Sequence, residues 1–166
     1  MSHAFVEVQK AAKRFPGAGK DAAPLTVFED ISLQLKKGEF VCIIGHSGCG
    51  KSTIMNALAG LDQFSEGSMV MDGKEIHGPS LERGVVFQNY SLLPWLTALD
   101  NVRFGVRARW PAWSEHEITE HSMKYLALVG LKEVVGRKPA QLSGGMRQRV
   151  SIARAFATKP KLLLLD

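Results

Sequence analysis

Three stretches carry residue types and spacings suited to phosphate and metal chemistry. The first is Gly45-His46-Ser47-Gly48-Cys49-Gly50-Lys51-Ser52-Thr53, which has the form G-x-x-x-x-G-K-[ST]. Gly45, Gly48 and Gly50 permit backbone angles that turn successive N–H groups inward into an anion-binding nest. Lys51 is long enough to reach β- and γ-phosphates, and the Ser52 hydroxyl can coordinate Mg²⁺. A helix starting near Gly50 would aim the positive end of its dipole at the same phosphates. With ordinary residue frequencies the four fixed positions coincide in roughly one chain in a few hundred of this length, so nucleotide binding outweighs an incidental lysine beside a turn.

The second stretch is Leu142-Ser143-Gly144-Gly145-Met146-Arg147-Gln148-Arg149. Two glycines at a helix start, behind a serine that can cap it, make another anion site. The third is Leu162-Leu163-Leu164-Leu165-Asp166, an apolar strand ending in a carboxylate. Asp166 would hold Mg²⁺ against Ser52, directly or through water. Two phosphate-binding helix starts in one chain serve a single ATP within one subunit only if they converge.

The elements that position these groups are legible in outline. Phe40-Val41-Cys42-Ile43-Ile44 is a five-residue apolar run that reads as a buried parallel strand feeding the glycine loop. Ile54, Leu58 and Leu61 follow at helical spacing. Ala4 to Val8 and Leu25 to Leu35 alternate as antiparallel strands, with Phe15-Pro16-Gly17-Ala18-Gly19 as a loop between them. Gly67 to Met71 is a strand before a turn at Asp72-Gly73, and Gly84 to Phe87 is a strand that delivers Gln88 at its C-terminal end. Ser114 and Glu117 form a capping-box pattern ahead of a helix that Gly130 can end, and a second helix runs from about Gly144 to Ala157. The expectation is an α/β fold: residues 1–97 and 158–166 as core and β subdomain, with 98–157 mainly helical.

Composition sets the outer bounds. The 166 residues are 45% hydrophobic and 22% charged, ordinary for one globular domain with a real core. No run approaches the eighteen or so apolar residues of a membrane span. Met1 to Lys10 lacks the pattern of a secretory signal, so a cytosolic setting is expected. Cys42 and Cys49 fit neither a disulfide scaffold nor a zinc site. The net charge of +5 comes from scattered residues with no dense run, so nucleic acid is not the expected partner.

With these residues assembled, the chain resembles an ATP-binding subunit of an ABC transporter over essentially its whole length. Gly45 to Thr53 is similar to the family's Walker A loop, Leu142 to Gln148 to its signature, Leu162 to Asp166 to its Walker B strand, and Gln88 to its Q-loop glutamine. Phe15 matches the family's adenine-stacking aromatic in rough position. The resemblance implies a P-loop NTPase (RecA-like) core with an N-terminal antiparallel β subdomain and an inserted helical subdomain. It also implies ATP and Mg²⁺, with Ser52, Gln88 and Asp166 around the metal and Lys51, Gln88 and Asp166 in the catalytic machinery. The nucleotide would lie between residues 45–53 of one subunit and Ser143, Gly144, Gly145 and Gln148 of a second, in a head-to-tail dimer.

His46 and the run Val86-Phe87-Gln88-Asn89-Tyr90-Ser91-Leu92-Leu93-Pro94-Trp95 are similar to importers of nitrate, cyanate, bicarbonate, sulfonate and taurine, the nitrate-like branch above all. Transmembrane permease subunits are then the implied partners, with a periplasmic or lipid-anchored solute-binding protein acting indirectly. The implied location is the cytoplasmic side of the inner membrane. Leu93, Trp95 and Leu96 are unusually apolar for a loop, and either docking on the permease or burial in the domain core accounts for them.

Two departures stand out. Met146 replaces a glutamine common in the signature. The family also places a catalytic Glu after the Walker B aspartate and a switch His on a later strand, whereas these residues stop at Asp166 with His3, His46, His77, His116 and His121 all upstream. A partial sequence with negligible turnover of its own is therefore expected. A non-transport ABC-type ATPase and an inactive nucleotide-binding fragment are the competing readings. The short interval from Gln88 to Ser143 favours transport, since it holds only a compact helical subdomain.

Overall fold

The computed structural model describes residues 4–17, 19 and 23–166. Ala18 of the expected loop and His3 lie outside them. The chain divides into two compact units, Met1–Pro79 and Ser80–Asp166.

In the first unit a four-stranded antiparallel sheet has the order β2-β1-β3-β4. Its strands are β1 (Val6–Phe15), β2 (Leu25–Leu35), β3 (Glu66–Met71) and β4 (Lys74–Glu75). Alternation sets the register: Val6 and Val8 of β1 are buried opposite Met71 and Met69 of β3, which are buried too. Asp72 and Gly73, with φ of 54° and 76°, make the tight turn between β3 and β4. β1 is irregular where it crosses β3. A side chain on Gly67 would place its Cβ 2.4 Å from the Gln9 carbonyl oxygen and 2.6 Å from that of Lys10, so only glycine passes there.

Helix α1 (Lys51–Ala59) follows the glycine loop and buries Ile54, Ala57, Leu58 and Ala59. It ends two residues before Leu61, the last position of the apolar spacing. Gly60 adopts φ of 78° as the cap, the Leu61 N–H bonds back to the Asn56 carbonyl, and Leu61 is left exposed.

The predicted strand at 40–44 is the main correction. It belongs to none of the sheets among the described residues, and Phe40 and Ile44 are 83% and 93% exposed. A parallel strand forms only where a neighbour accepts and donates its backbone bonds. None of the six described strands pairs with these residues.

The second unit joins a parallel pair, β5 (Arg83–Val86) and β6 (Leu162–Leu165), to three helices. These are α2 (Ala98–Arg109), α3 (Glu115–Leu128) and α4 (Gly144–Ala157), packed through Val102, Val106, Ile118, Leu126, Val150 and Ala153. The expected capping box is present, with Ser114 Oγ accepting from the Glu117 N–H and the Glu117 carboxylate accepting from the Ser114 N–H. Helix α2 was not foreseen as a separate element, although Thr97 caps it by accepting from the Asp100 N–H.

Fully buried Asn101 in α2 fixes the loop ahead of that helix. Its Oδ1 accepts from the Leu93 N–H at 2.8 Å, and its Nδ2 reaches the carbonyls of Leu93, Leu96 and Thr97 at 3.1, 3.2 and 2.9 Å. Asn101→Leu keeps the branched outline but leaves those groups unpaired. Chemical denaturation should show a loss of roughly 3 kcal/mol.

Candidate nucleotide site

The glycine loop of the first unit is folded around its own lysine. Lys51 Nζ donates to the carbonyls of Gly45 at 2.9 Å and His46 at 2.7 Å, and lies 3.6 Å from Cys49 Sγ. His46 Nδ1 is 2.8 Å from the Ser47 carbonyl oxygen. The three glycines do different work. Gly48 and Gly50 take φ of 79° and 93°, as an inward-facing nest requires, and Gly50 caps α1 without a side chain. Gly45 does not use positive φ. Its role is close approach, since an added Cβ would stand 2.5 Å from Cys49 Sγ.

Gly50 gives α1 no side-chain cap, and the residues from Val41 to Gly48 are exposed to solvent. Helix N–H groups and an ammonium at the start of α1 are the kinds of group that hold an anion. Ser52 and Thr53 stand in the first turn. Phe15, the expected base platform, ends β1 and is 40% exposed, with the Lys13 ammonium 4.8 Å from its ring centroid.

In the second unit, Gln88 and Asp166 issue from the same edge. Val86 pairs with Leu165, and the Asp166 N–H donates to the Val86 carbonyl at 3.0 Å, so the glutamine and the carboxylate follow adjacent parallel strands at their C-terminal ends. Among the described residues no group of three His, Cys, Asp or Glu gathers at metal-binding distance. An amide oxygen and a single carboxylate suit a hard cation that arrives with phosphates and keeps much of its own shell, which is the habit of Mg²⁺.

Helix α4 begins as the sequence suggests. Ser143 caps it, Oγ accepting from the Met146 N–H at 3.3 Å, and a side chain on exposed Gly145 would meet nothing within 4 Å. Gln148 lies one turn on, its Oε1 buried without a hydrogen-bond partner.

Two contacts tie this helix to the segment after Gln88, and sequence reasoning missed both. Arg154 donates to the carbonyls of Ser91 at 2.8 Å and Tyr90 at 3.3 Å, residues held at φ of 47° and 60°. The Tyr90 ring lies under Arg147, 5.3 Å from its guanidinium carbon, and its hydroxyl is 3.2 Å from where a Gly144 Cβ would be. Burial lowers the pKa of the Arg154 guanidinium, which stays charged.

The apolar stretch after this segment is a surface feature. Trp95 and Phe104 are 67% and 57% exposed, and with Leu93 and Leu96 they line a shallow groove rimmed by Asp100, Arg103 and Arg107. Such exposure excludes the reading that Trp95 fills the domain core.

Residues 28–166 match the protein family described as ABC transporter. The bicarbonate transport ATP-binding protein CmpD of Synechocystis sp. is 48% identical over 98% of this chain and 57% of its own length. The nitrate import ATP-binding protein NrtD of Synechococcus elongatus is 46% identical over 98% of this chain and 58% of its own. The chain thus spans a little over half the length of these relatives. Among solved structures, a dimeric post-hydrolysis state of the ATP-binding cassette MJ0796 bound to ADP and Pi matches with a TM-score of 0.88 and 34% identity. That match covers 97% of this chain and 73% of that one.

Proposed function

The chain belongs to the ABC transporter family, and from that footing we propose that it forms the ATP-binding part of a subunit energising import of a small anion such as nitrate or bicarbonate. Its fold is the α/β P-loop NTPase fold of ATP-binding cassettes. The observation that carries the proposal is the pair of glycine-bearing helix starts in one chain, α1 opened by Gly50 ahead of Lys51 and α4 by Gly144 and Gly145 behind the Ser143 cap. Each alone is an anion site; together they fit a nucleotide clasped between two subunits, the phosphate loop of one against Ser143, Gly144, Gly145 and Gln148 of the other.

In this reading Lys51 exchanges the Gly45 and His46 carbonyls for β- and γ-phosphate oxygens, and the loop N–H groups take the remaining charge. Phe15 offers a face to adenine. Ser52, Gln88 and Asp166 would be the residues to hold Mg²⁺, which would supply neutralisation of the charge developing on the phosphates. ATP closes the dimer, and hydrolysis with product release reopens it. The relatives named above are a bicarbonate transporter subunit and a nitrate importer subunit, which supports an anion of that kind as the cargo.

No described helix is long and apolar enough to cross a membrane. The subunit is proposed to sit on the cytoplasmic face of the inner membrane by docking on permease subunits, to which a periplasmic or lipid-anchored binding protein delivers solute. The groove of Leu93, Trp95, Leu96 and Phe104 is the proposed docking surface. Trp95→Ser should reduce solute uptake by vesicles carrying the assembled transporter at least tenfold, the cost of losing one buried aromatic anchor, while ATP affinity changes less than twofold. Unchanged uptake would contradict the docking assignment. ATP-dependent accumulation of nitrate or bicarbonate by the wild-type assembly tests the function itself; purification with nucleic acid and no permease would favour a non-transport ATPase.

A further inference from the structure

A buried ammonium joins the end of β1 to the turn after α1. Lys13 is only 8% exposed, and its Nζ donates to Asp62 Oδ1 at 2.6 Å and to the Gln63 carbonyl at 2.8 Å. The same nitrogen lies 4.8 Å from the centroid of the Phe15 ring. Asp62 is fixed in turn, since Oδ1 also accepts from the Gln63 N–H at 2.8 Å. The turn is continuous with the helix, because the N–H groups of Leu61 and Asp62 both donate to the Asn56 carbonyl. The Lys13 hydrogen bond holds the Asp62 carboxyl below its ordinary value of 3.8, so Asp62 is a carboxylate at neutral pH.

The other end of α1 is held by the same strands. A Cβ on Gly50, the cap that opens the helix, would stand 2.8 Å from Val27 Cγ1 and 3.3 Å from Phe28 Cδ1. Val27 and Phe28 belong to β2, which pairs with β1 through Phe15 opposite Leu25 and Lys13 opposite Phe28. Phe28 also meets Phe64 edge-on, with ring centroids 6.1 Å apart. Helix α1 is therefore gripped at both ends by the strand pair that carries Phe15.

We propose that Lys13 is a positioning residue for nucleobase recognition: bonded to the turn that ends α1 and lying against the Phe15 ring, it sets the separation between the base platform and the phosphate cradle. The inference rests on the nucleotide reading above and adds to it how base and phosphates are held in register. Stability alone does not call for a charged group here, since a buried ion pair is often no better than apolar packing of the same volume. A lysine that meets a carboxylate and a ring together fixes both in a way that an apolar side chain does not.

The test compares ATP with inorganic tripolyphosphate, which occupies the cradle without needing a platform, by equilibrium binding to the intact protein. Lys13→Met keeps the length and leaves Asp62 accessible to water. It should weaken ATP binding about tenfold and tripolyphosphate binding less than twofold, and Lys13→Arg should restore most of the ATP affinity. Phe15→Ala should cause a similar selective loss, and adding Lys13→Met to it should cost little more. Asp62→Asn guards against a Lys13→Met protein that fails to fold, and should weaken ATP binding several-fold with the same sparing of tripolyphosphate.

Unchanged ATP affinity in Lys13→Met or Asp62→Asn, or equal losses for both ligands, would overturn the inference; so would full additivity with Phe15→Ala. If Phe15→Ala alone leaves ATP binding intact, the base platform itself is misassigned. If the wild-type protein binds neither ligand, the nucleotide reading fails as a whole.

Discussion

Replacing Lys51 with alanine is expected to weaken ATP binding by about two orders of magnitude, near 2.7 kcal/mol, and to abolish turnover of the assembled ATPase. The size of the effect follows from what the ammonium does in the folded loop. It bonds two loop carbonyls, those of Gly45 and His46, and stands beside Cys49, at the centre of the segment that must wrap the phosphates. In the proposed site, removing it takes away the positive charge meant for the β- and γ-phosphates and also releases the carbonyls of Gly45 and His46. Lys51→Arg should recover little, since a planar guanidinium cannot bond both carbonyls from the position of a single nitrogen. Isothermal titration with ATP and with ADP isolates the γ-phosphate share: a loss confined to ATP would mark the γ-phosphate, and an equal loss would mark the β-phosphate and the loop.

Gly145→Asp should leave ATP affinity of the separate subunit within twofold yet cut turnover of the assembled ATPase by at least about a hundredfold. Nothing within the chain opposes the change, because no atom lies within 4 Å of the new Cβ and the position is exposed. Folding and thermal stability should therefore be close to wild type. The loss would arise only when a second subunit brings a triphosphate to the start of α4, where the added carboxylate repels it and blocks the N–H groups meant for it. Gly144 is the less informative position, since the Tyr90 hydroxyl already sits 3.2 Å from where its side chain would begin. Wild-type turnover in Gly145→Asp would remove the second anion site from the account.

How much was legible beforehand depended on whether the information was local. Strand β2 runs from Leu25 to Leu35 as its alternation suggests, and the Ser114–Glu117 box starts α3 where the spacing places it, because a periodic face or a cap is written in neighbouring residues. The run at 40–44 shows the limit. Five apolar residues report a wish for burial, but a parallel strand also needs a partner, and a run of side chains does not name one.

The phosphate loop was legible in residue type and only partly in mechanism, since Gly45 serves close packing against Cys49 rather than a left-handed turn. Asn101, Lys13 and Arg154 were invisible for another reason. Their partners lie 8, 49 and 63 residues away in the chain, so no motif announces them. Each is a polar side chain that fixes a segment bearing a candidate functional residue, and only packing reveals that.

The central claim is that the site opened by Lys51 is completed by Ser143 and Gly145 of another subunit, and mixing defective subunits tests it most directly. The Lys51→Ala and Gly145→Asp changes would be made in a subunit of the relatives' full length, and the two proteins, each inactive alone, would be combined, allowed to exchange and assayed for ATP turnover. If the site spans two subunits, half of the dimers will be mixed and each mixed dimer will hold one intact site, so about a quarter of the wild-type sites should return. If both halves of the site come from the same chain, every site retains a defect and mixing restores nothing.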